Sequence, residues 1–220
     1  MKIDMVSETE YIISEFMLEN IRAQTYCVFD LEATGPNEEE DDVIQIGAVL
    51  LNGRSGEIEK TYETLVKPSK LIPKAIEGLT GISNEDVNEA PEFTEAFTEF
   101  SNFSEGAVLV TQAGYEFDWP LLMNECSRNH LRIISNKIMD TKVLFAYLFP
   151  EISEIISTNF LIKTLNIDDY DIKRHHALGD SVLIARIFME LMRVMSNREI
   201  DEITIQHPIT IKRVQLQKLL

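Results

Sequence analysis

The apolar positions along the chain sort into strand-like and helix-like stretches. Thr25–Ala33 carries Tyr26-Cys27-Val28-Phe29, apolar on both faces, which predicts a central strand covered on both sides. Val43–Leu51 predicts a second strand, closed by the turn pair Asn52-Gly53, and the alternation over Glu57–Val66 predicts a third, antiparallel to the second. Ala107–Thr111 predicts a fourth. Over residues 7–23, Ile12, Ile13, Phe16, Met17 and Ile21 fall on one side at helical spacing, which predicts an amphipathic N-terminal helix. Short helices are expected near Lys74–Leu79 and Pro91–Phe103. Further helices are expected over Pro120–Asn129, with proline in the first turn, and over Asp140–Leu148 and Asn159–Leu165. Ala177–Met195 is long and strongly periodic. Residues 199–220 hold Ile-Thr-Ile triplets at 203–205 and 209–211 around His207-Pro208, and end in a stretch that reads as a terminal helix. The order of elements predicts an α/β fold, a mixed sheet with helices on both faces. It divides the chain into an N-terminal helical extension (1–24), a main domain (25–196) and a C-terminal tail (197–220).

Composition adds limits. The 220 residues are 45% hydrophobic and 26% charged, as in ordinary globular chains. No apolar run reaches the roughly 20 residues that span a bilayer, so no membrane partner is expected. Cys27 and Cys126 sit alone in apolar segments and suit a reducing, cytoplasmic setting. The formal net charge of −17 excludes a broad electrostatic grip on duplex nucleic acid. A partner rich in phosphate needs few contacts, bound cations or a helper protein. The acidic run Pro36-Asn37-Glu38-Glu39-Glu40-Asp41-Asp42 reads as a solvated loop.

Several acids do not fit a solvated role. Asp30 and Glu32 stand two apart on the apolar first strand and so project from one face. Crowded carboxylates repel and lose hydration, and a divalent cation resolves both problems. The alternative is that the strand has ended and both are in water. Asp180 shares its helical face with Ala177, Ile184, Ile187 and Leu191, whereas Arg186, Glu190 and Arg193 mark the solvated face. A carboxylate on an apolar stripe needs a partner. Its place in the first helical turn offers only a dipole explanation. Asp118, in Asp118-Trp119-Pro120, reads on its own as a helix cap. His175 precedes the long helix, while His130 and His207 lie away from any acidic cluster.

Together these segments resemble the DEDDh family of 3′→5′ exonucleases. Phe29-Asp30-Leu31-Glu32-Ala33-Thr34-Gly35 is similar to the family's first motif. Gly114-Tyr115-Glu116-Phe117-Asp118-Trp119-Pro120-Leu121-Leu122 is similar to the second, and His175-His176-Ala177-Leu178-Gly179-Asp180 to the third. The stretch from Ile72-Pro73 to Leu79-Thr80-Gly81-Ile82 resembles the family's connecting segment. The resemblance covers about residues 25–195 and makes 25–196 an exonuclease domain of ribonuclease H-like fold. One departure is Gln112-Ala113-Gly114, where the second motif often carries His-Asn, which touches strand contacts and loop shape rather than metal ligands.

The resemblance implies a site for two Mg²⁺ or Mn²⁺ ions held by Asp30, Glu32, Asp118 and Asp180. It implies His175 as the base that takes a proton from water, and nucleoside 5′-monophosphates as products. Leu31, Ala33, Thr34 and Gly35 would lie along the terminal nucleotide, Thr34 approaching it through its backbone. Phe117 or Trp119 would stack on bases, although core packing is the better reading of Phe117. Lys173 and Arg174 are candidates for phosphate contacts. The charge balance favours single-stranded or frayed 3′ ends. DNA is the expected substrate and RNA trimming within the same family the alternative, a choice that the residues leave open. The rival readings are a binding or scaffold module without catalysis and a proofreading subunit that works with a polymerase. Gln215-Leu216-Gln217-Lys218-Leu219-Leu220 faintly resembles a sliding-clamp peptide.

Overall fold

The computed structural model describes residues 2–214. At its centre is a five-stranded sheet built from β4 (Thr25–Ala33), β5 (Val43–Asn52), β6 (Ile58–Leu65), β7 (Val108–Thr111) and β8 (Ile138–Asp140), in the order β6-β5-β4-β7-β8. The pairs β4–β5 and β5–β6 are antiparallel, and β4–β7 and β7–β8 are parallel, so the sheet is mixed. Helices follow as α1 (Lys74–Thr80), α2 (Phe93–Phe103), α3 (Asp118–Arg128), α4 (Thr141–Leu148), α5 (Thr158–Leu165) and α6 (Ala177–Asn197).

The alternation of β4 assigns the two faces. Tyr26 meets Phe188 of α6 edge-on with ring centroids 4.7 Å apart, whereas Phe29 packs on Phe100 of α2 at 5.4 Å. Helices therefore cover both faces. Even positions of β4 look toward α6, so Asp30 and Glu32 lie on the α6 side. The expected bounds of β4 coincide with those observed, and those of β5, β6 and the helices agree to within a few residues. The short strand β8, between two helices, was not anticipated.

The N-terminal extension is not a helix. Residues 2–18 form β1 (Lys2–Met5), β2 (Glu10–Ser14) and β3 (Phe16–Leu18), followed by a single 3₁₀ turn at Ile21–Ala23. In β2, Tyr11 and Ile13 are buried while Glu10, Ile12 and Ser14 are only partly so, which is the period of a strand. Glu15, at φ +55°, breaks the chain between β2 and β3. The partners of these strands come from the other end of the chain. The two Ile-Thr-Ile triplets become β9 (Ile203–Ile205) and β10 (Ile209–Lys212), with β9 antiparallel to β3 and β10 antiparallel to β2. The extension and the tail thus pair with each other in two small sheets, whose buried residues join the main core. The expected terminal helix and the clamp-like peptide, residues 215–220, lie outside the described residues. No described helix is long and apolar enough to cross a membrane.

The acidic loop is only half solvated. Glu39 and Glu40 are exposed, but Asp41 and Asp42 are buried. Asp41 accepts from the Thr34 hydroxyl (2.9 Å), the Asn37 amide (2.8 Å) and Lys70 (2.6 Å), and Asp42 accepts twice from Ser69, each at 2.7 Å. These carboxylates pin the connection from β4 to β5. Gly35 is required there, since a Cβ would stand 2.5 Å from an Asp41 oxygen.

Candidate active site

The site lies where β4 ends, beneath the N-termini of α3 and α6. On β4 the register shifts between Glu32 and Ala33, a bulge of the kind found beside functional sites. Asp30 is half-buried and Glu32 is buried, and both face α6.

Asp180 reaches them because α6 comes very close to the sheet. Gly47, paired with Asp30 across β4–β5, has the backbone of Ala177 and Leu178 against it. The Ala177 amide donates to the Gln45 carboxamide oxygen (2.9 Å), and the Ser181 hydroxyl donates to the Gly47 carbonyl (2.9 Å). Gln45 in turn donates to Glu63, which stands 3.2 Å from His176 Nε2. These anchors were not read from the sequence; the signal available was a glycine and a glutamine inside an otherwise apolar strand. As the apolar stripe predicts, Asp180 is buried with Ala177, Ile184, Ile187 and Leu191.

Asp118 is not a helix cap. Phe117 occupies that position without a side-chain cap bond, and α3 begins at Asp118. The buried Asp118 carboxylate instead accepts from the Thr111 hydroxyl at 3.3 Å. The loop that delivers it rests on a buried polar layer missed by sequence reading. Lys142 and Glu116 form an ion pair at 2.5 Å with side chains 0% and 1% exposed. Asp140, fully buried, accepts from the Ala113 amide (3.1 Å) and the Lys142 amide (2.8 Å). Ala113 takes a φ of +55°, and a Cβ on Gly114 would collide with Thr111 at 2.1 Å. The motif's departure at Gln112-Ala113-Gly114 therefore accompanies a tight left-handed turn.

His175 is exposed, at φ +56°, and its amide donates to Asp180 Oδ2 at 2.7 Å. A Cβ on Gly179 would stand 2.5 Å from the Lys173 carbonyl, so the loop can fold back over the first turn of α6 only because residue 179 is glycine. This return brings ligand atoms of Glu32, His175 and Asp180 within 4.8 Å of one another. His176 points elsewhere, toward Glu63, at the N-cap of α6.

The electrostatics are those of crowded anions. Burial first, then the charges of Asp118, Asp180 and Glu32, push the Asp30 carboxyl well above the ordinary range. Burial, with Asp180 and Asp118 beside it, raises Glu32 to about 8. Burial raises Asp118 to about 7, against the Thr111 hydrogen bond. The only cation ion-paired with any of these acids among the described residues is Arg174, whose Nε lies 2.7 Å from Asp180 Oδ1. Clustered carboxylate oxygens short of positive charge fit a hard divalent cation.

The expected substrate contacts fare unevenly. Leu31 and Ala33 are buried in the main core on the far face of β4. The Thr34 amide donates to the Asp42 carbonyl (2.9 Å) and its hydroxyl to Asp41, so both of its donors hold the loop. Gly35 is partly exposed. Phe117 and Trp119 are half-buried and pack on the core. Lys173 is exposed, and Arg174 is turned onto Asp180 and Asn159.

Comparison with known proteins shows the family and the fold. The model of the exonuclease family RNase_T matches residues 27–188. A DNA polymerase III subunit epsilon-like protein of Rhodobacter capsulatus is 37% identical over 182 residues, covering 79% of this chain and 24% of that protein. A PolC-type DNA polymerase III of Caldanaerobacter subterraneus is 29% identical over 198 residues, covering 86% of this chain and 13% of that protein. The chain thus spans a quarter or less of these relatives. Among solved structures, the nuclease domain of 3′hExo, a DEDDh family member bound to rAMP, superposes with a TM-score of 0.68 at 24% identity, covering 80% of this chain and 93% of that one. Exonuclease X in complex with 5′ overhanging duplex DNA gives 0.60 at 20% identity, covering 79% and 93%. At these identities the superpositions speak for the fold. The family match over most of the chain and the mixed sheet shared with these nucleases lead to one conclusion: the chain belongs to the exonuclease family and has the ribonuclease H-like fold of its DEDDh members.

Proposed function

We propose that this protein is a divalent-metal-dependent 3′→5′ exonuclease that removes nucleoside 5′-monophosphates from single-stranded or frayed 3′ ends. The observation that carries the reading is the convergence of Asp30, Glu32, Asp118 and Asp180 with, among the described residues, only Arg174 ion-paired to them. Asp30, Glu32, Asp118 and Asp180 would hold two Mg²⁺ or Mn²⁺ ions. Such ions neutralise phosphate charge and make bound water a better nucleophile at neutral pH. The remaining work falls to the chain. His175, exposed and adjoining Glu32 and Asp180, accepts the proton of the attacking water at its imidazole. Thr111, with the Glu116–Lys142 layer below, keeps the Asp118 carboxylate turned inward. Gly35, partly exposed at the end of β4, and the exposed Lys173 are the candidates for contact with the terminal nucleotide and its phosphate.

DNA is the favoured substrate, because the Rhodobacter capsulatus relative is named as epsilon-like. Those names also favour a polymerase partner, and the unpaired, buried cysteines suit a cytoplasmic setting. The test uses purified protein with 5′-labelled single-stranded DNA, RNA of the same sequence and blunt duplex DNA, each with Mg²⁺ or EDTA. Metal-dependent shortening from the 3′ end of single-stranded DNA is expected. Faster shortening of RNA would favour an RNA-trimming enzyme, and nucleotide binding without cleavage would leave a binding module.

A further inference from the structure

Asp180 is a metal ligand in the reading above, yet both of its oxygens are already engaged by its own loop. Arg174 Nε donates to Oδ1 and the His175 amide donates to Oδ2, each at 2.7 Å. The two partners differ in kind. The His175 amide is fixed by a backbone that Gly179 allows to fold back. Arg174 is held by its side chain alone, one-third exposed, with a second and longer hold from Nη1 to Asn159 Oδ1 at 3.3 Å. A guanidinium on a flexible stem can leave, and one divalent cation cannot share a carboxylate oxygen with it without like-charge repulsion.

We propose that Arg174 is a built-in counter-ion that competes with divalent metal for Asp180 and, once displaced, turns to a phosphate of the substrate strand. The inference rests on the metal-dependent reading of the site. In the metal-free protein Arg174 limits repulsion among the acids. When metal takes Asp180, a planar fork of N–H donors is freed at the mouth of the site, where it can engage phosphate oxygens in pairs. The exchange lowers metal affinity, because binding must first break the ion pair, and it couples metal loading to grip on the strand.

The test is Mn²⁺ binding by calorimetry to the wild-type chain, Arg174→Met and Arg174→Lys. Arg174→Met is expected to bind roughly tenfold more tightly than wild type, within the usual range of such couplings. Arg174→Lys, which keeps the charge, should stay within about threefold of wild type. With Mg²⁺ saturating, Arg174→Met should raise KM for single-stranded DNA more than it lowers kcat. A second measurement needs no variant: in ¹⁵N spectra the protected Arg174 Nε–H signal should collapse toward that of a free arginine as Mg²⁺ is added. Equal or weaker Mn²⁺ binding by Arg174→Met, or an Nε–H signal unmoved at saturating Mg²⁺, overturns the proposal. A wild-type chain that binds no Mn²⁺ overturns the metal-dependent reading itself and this inference with it.

Discussion

Gly47 and Ala177 touch through their backbones: a Cβ on Gly47 would stand 2.2 Å from the Ala177 carbonyl carbon and 2.1 Å from the Leu178 nitrogen. Gly47 is the cross-strand partner of Asp30, and Ala177 opens the helix that carries Asp180. The absence of one side chain therefore sets how closely the carboxylates of β4 and α6 approach.

From this contact, Gly47→Ala should destabilise the fold by about 3 kcal/mol, since a methyl group forced against backbone has no soft neighbour to move. It should also weaken Mn²⁺ binding, because α6 is pushed off the sheet. Thermal melts and calorimetry read the two effects, and a variant that melts within a degree of wild type would refute the close packing.

Removing one acid should abolish cleavage and relax the metal-free fold. Asp30→Asn should lower kcat at least about 10³-fold while leaving the metal-free protein as stable as wild type or more so, because a repelling, poorly hydrated carboxylate is gone. Retained activity, or a large fall in melting temperature without metal, contradicts the reading.

The raised carboxyls fix a pH dependence. Glu32 has an ordinary value of 4.5 and is held at about 8 in the folded chain. The folded state thus keeps a proton that the unfolded chain has released, so metal-free stability is full below about pH 4.5 and is lost as pH rises toward 8. Asp118, held at about 7, acts in the same direction. Melting temperature without metal should fall between pH 5 and 8, by roughly 2–4 °C for each kcal/mol lost, and saturating Mg²⁺ should flatten the slope. A rising metal-free curve over that range would be incompatible with these carboxyls.

The two neighbouring histidines should behave differently. His175→Ala should reduce turnover by about 10²- to 10⁴-fold with metal binding largely kept. His176→Ala, which removes a contact with Glu63 on a partly exposed surface, should cost under about 1 kcal/mol of stability and little activity. Greater loss of turnover in His176→Ala would reverse the assignment.

Beneath the site, Lys142→Ala should destabilise the chain by about 3–5 kcal/mol, because Glu116 is left buried without its partner. Combining it with Glu116→Gln should recover part of that loss. Denaturant unfolding of the single and double variants checks this, and additive losses would count against a coupled pair.

The main sheet, α6 and the acids themselves were legible in the sequence because each is written locally. A doubly apolar strand has nine residues in which to show itself, and Asp180 interrupts an apolar helical stripe. The shared face of Asp30 and Glu32 follows from the pleat alone. Where the reading failed, the deciding partner was distant. Ile12, Ile13, Phe16 and Met17 share a helical face, whereas the strand buries Tyr11 and Ile13, and only pairing with Ile209–Lys212 and Ile203–Ile205, nearly 200 residues away, selects the strand. Asp118 read as a cap because a cap is a local role; Thr111 and the buried Glu116–Lys142 layer turn it inward. Arg174 read as a candidate phosphate contact with no partner inside the chain for the same reason, since Asp180 becomes its neighbour only when Gly179 lets the loop fold back onto α6. Periodicity and spacing record which side of an element is apolar; which charge meets which is fixed only when the elements pack, because burial removes the water that would otherwise serve every one of them.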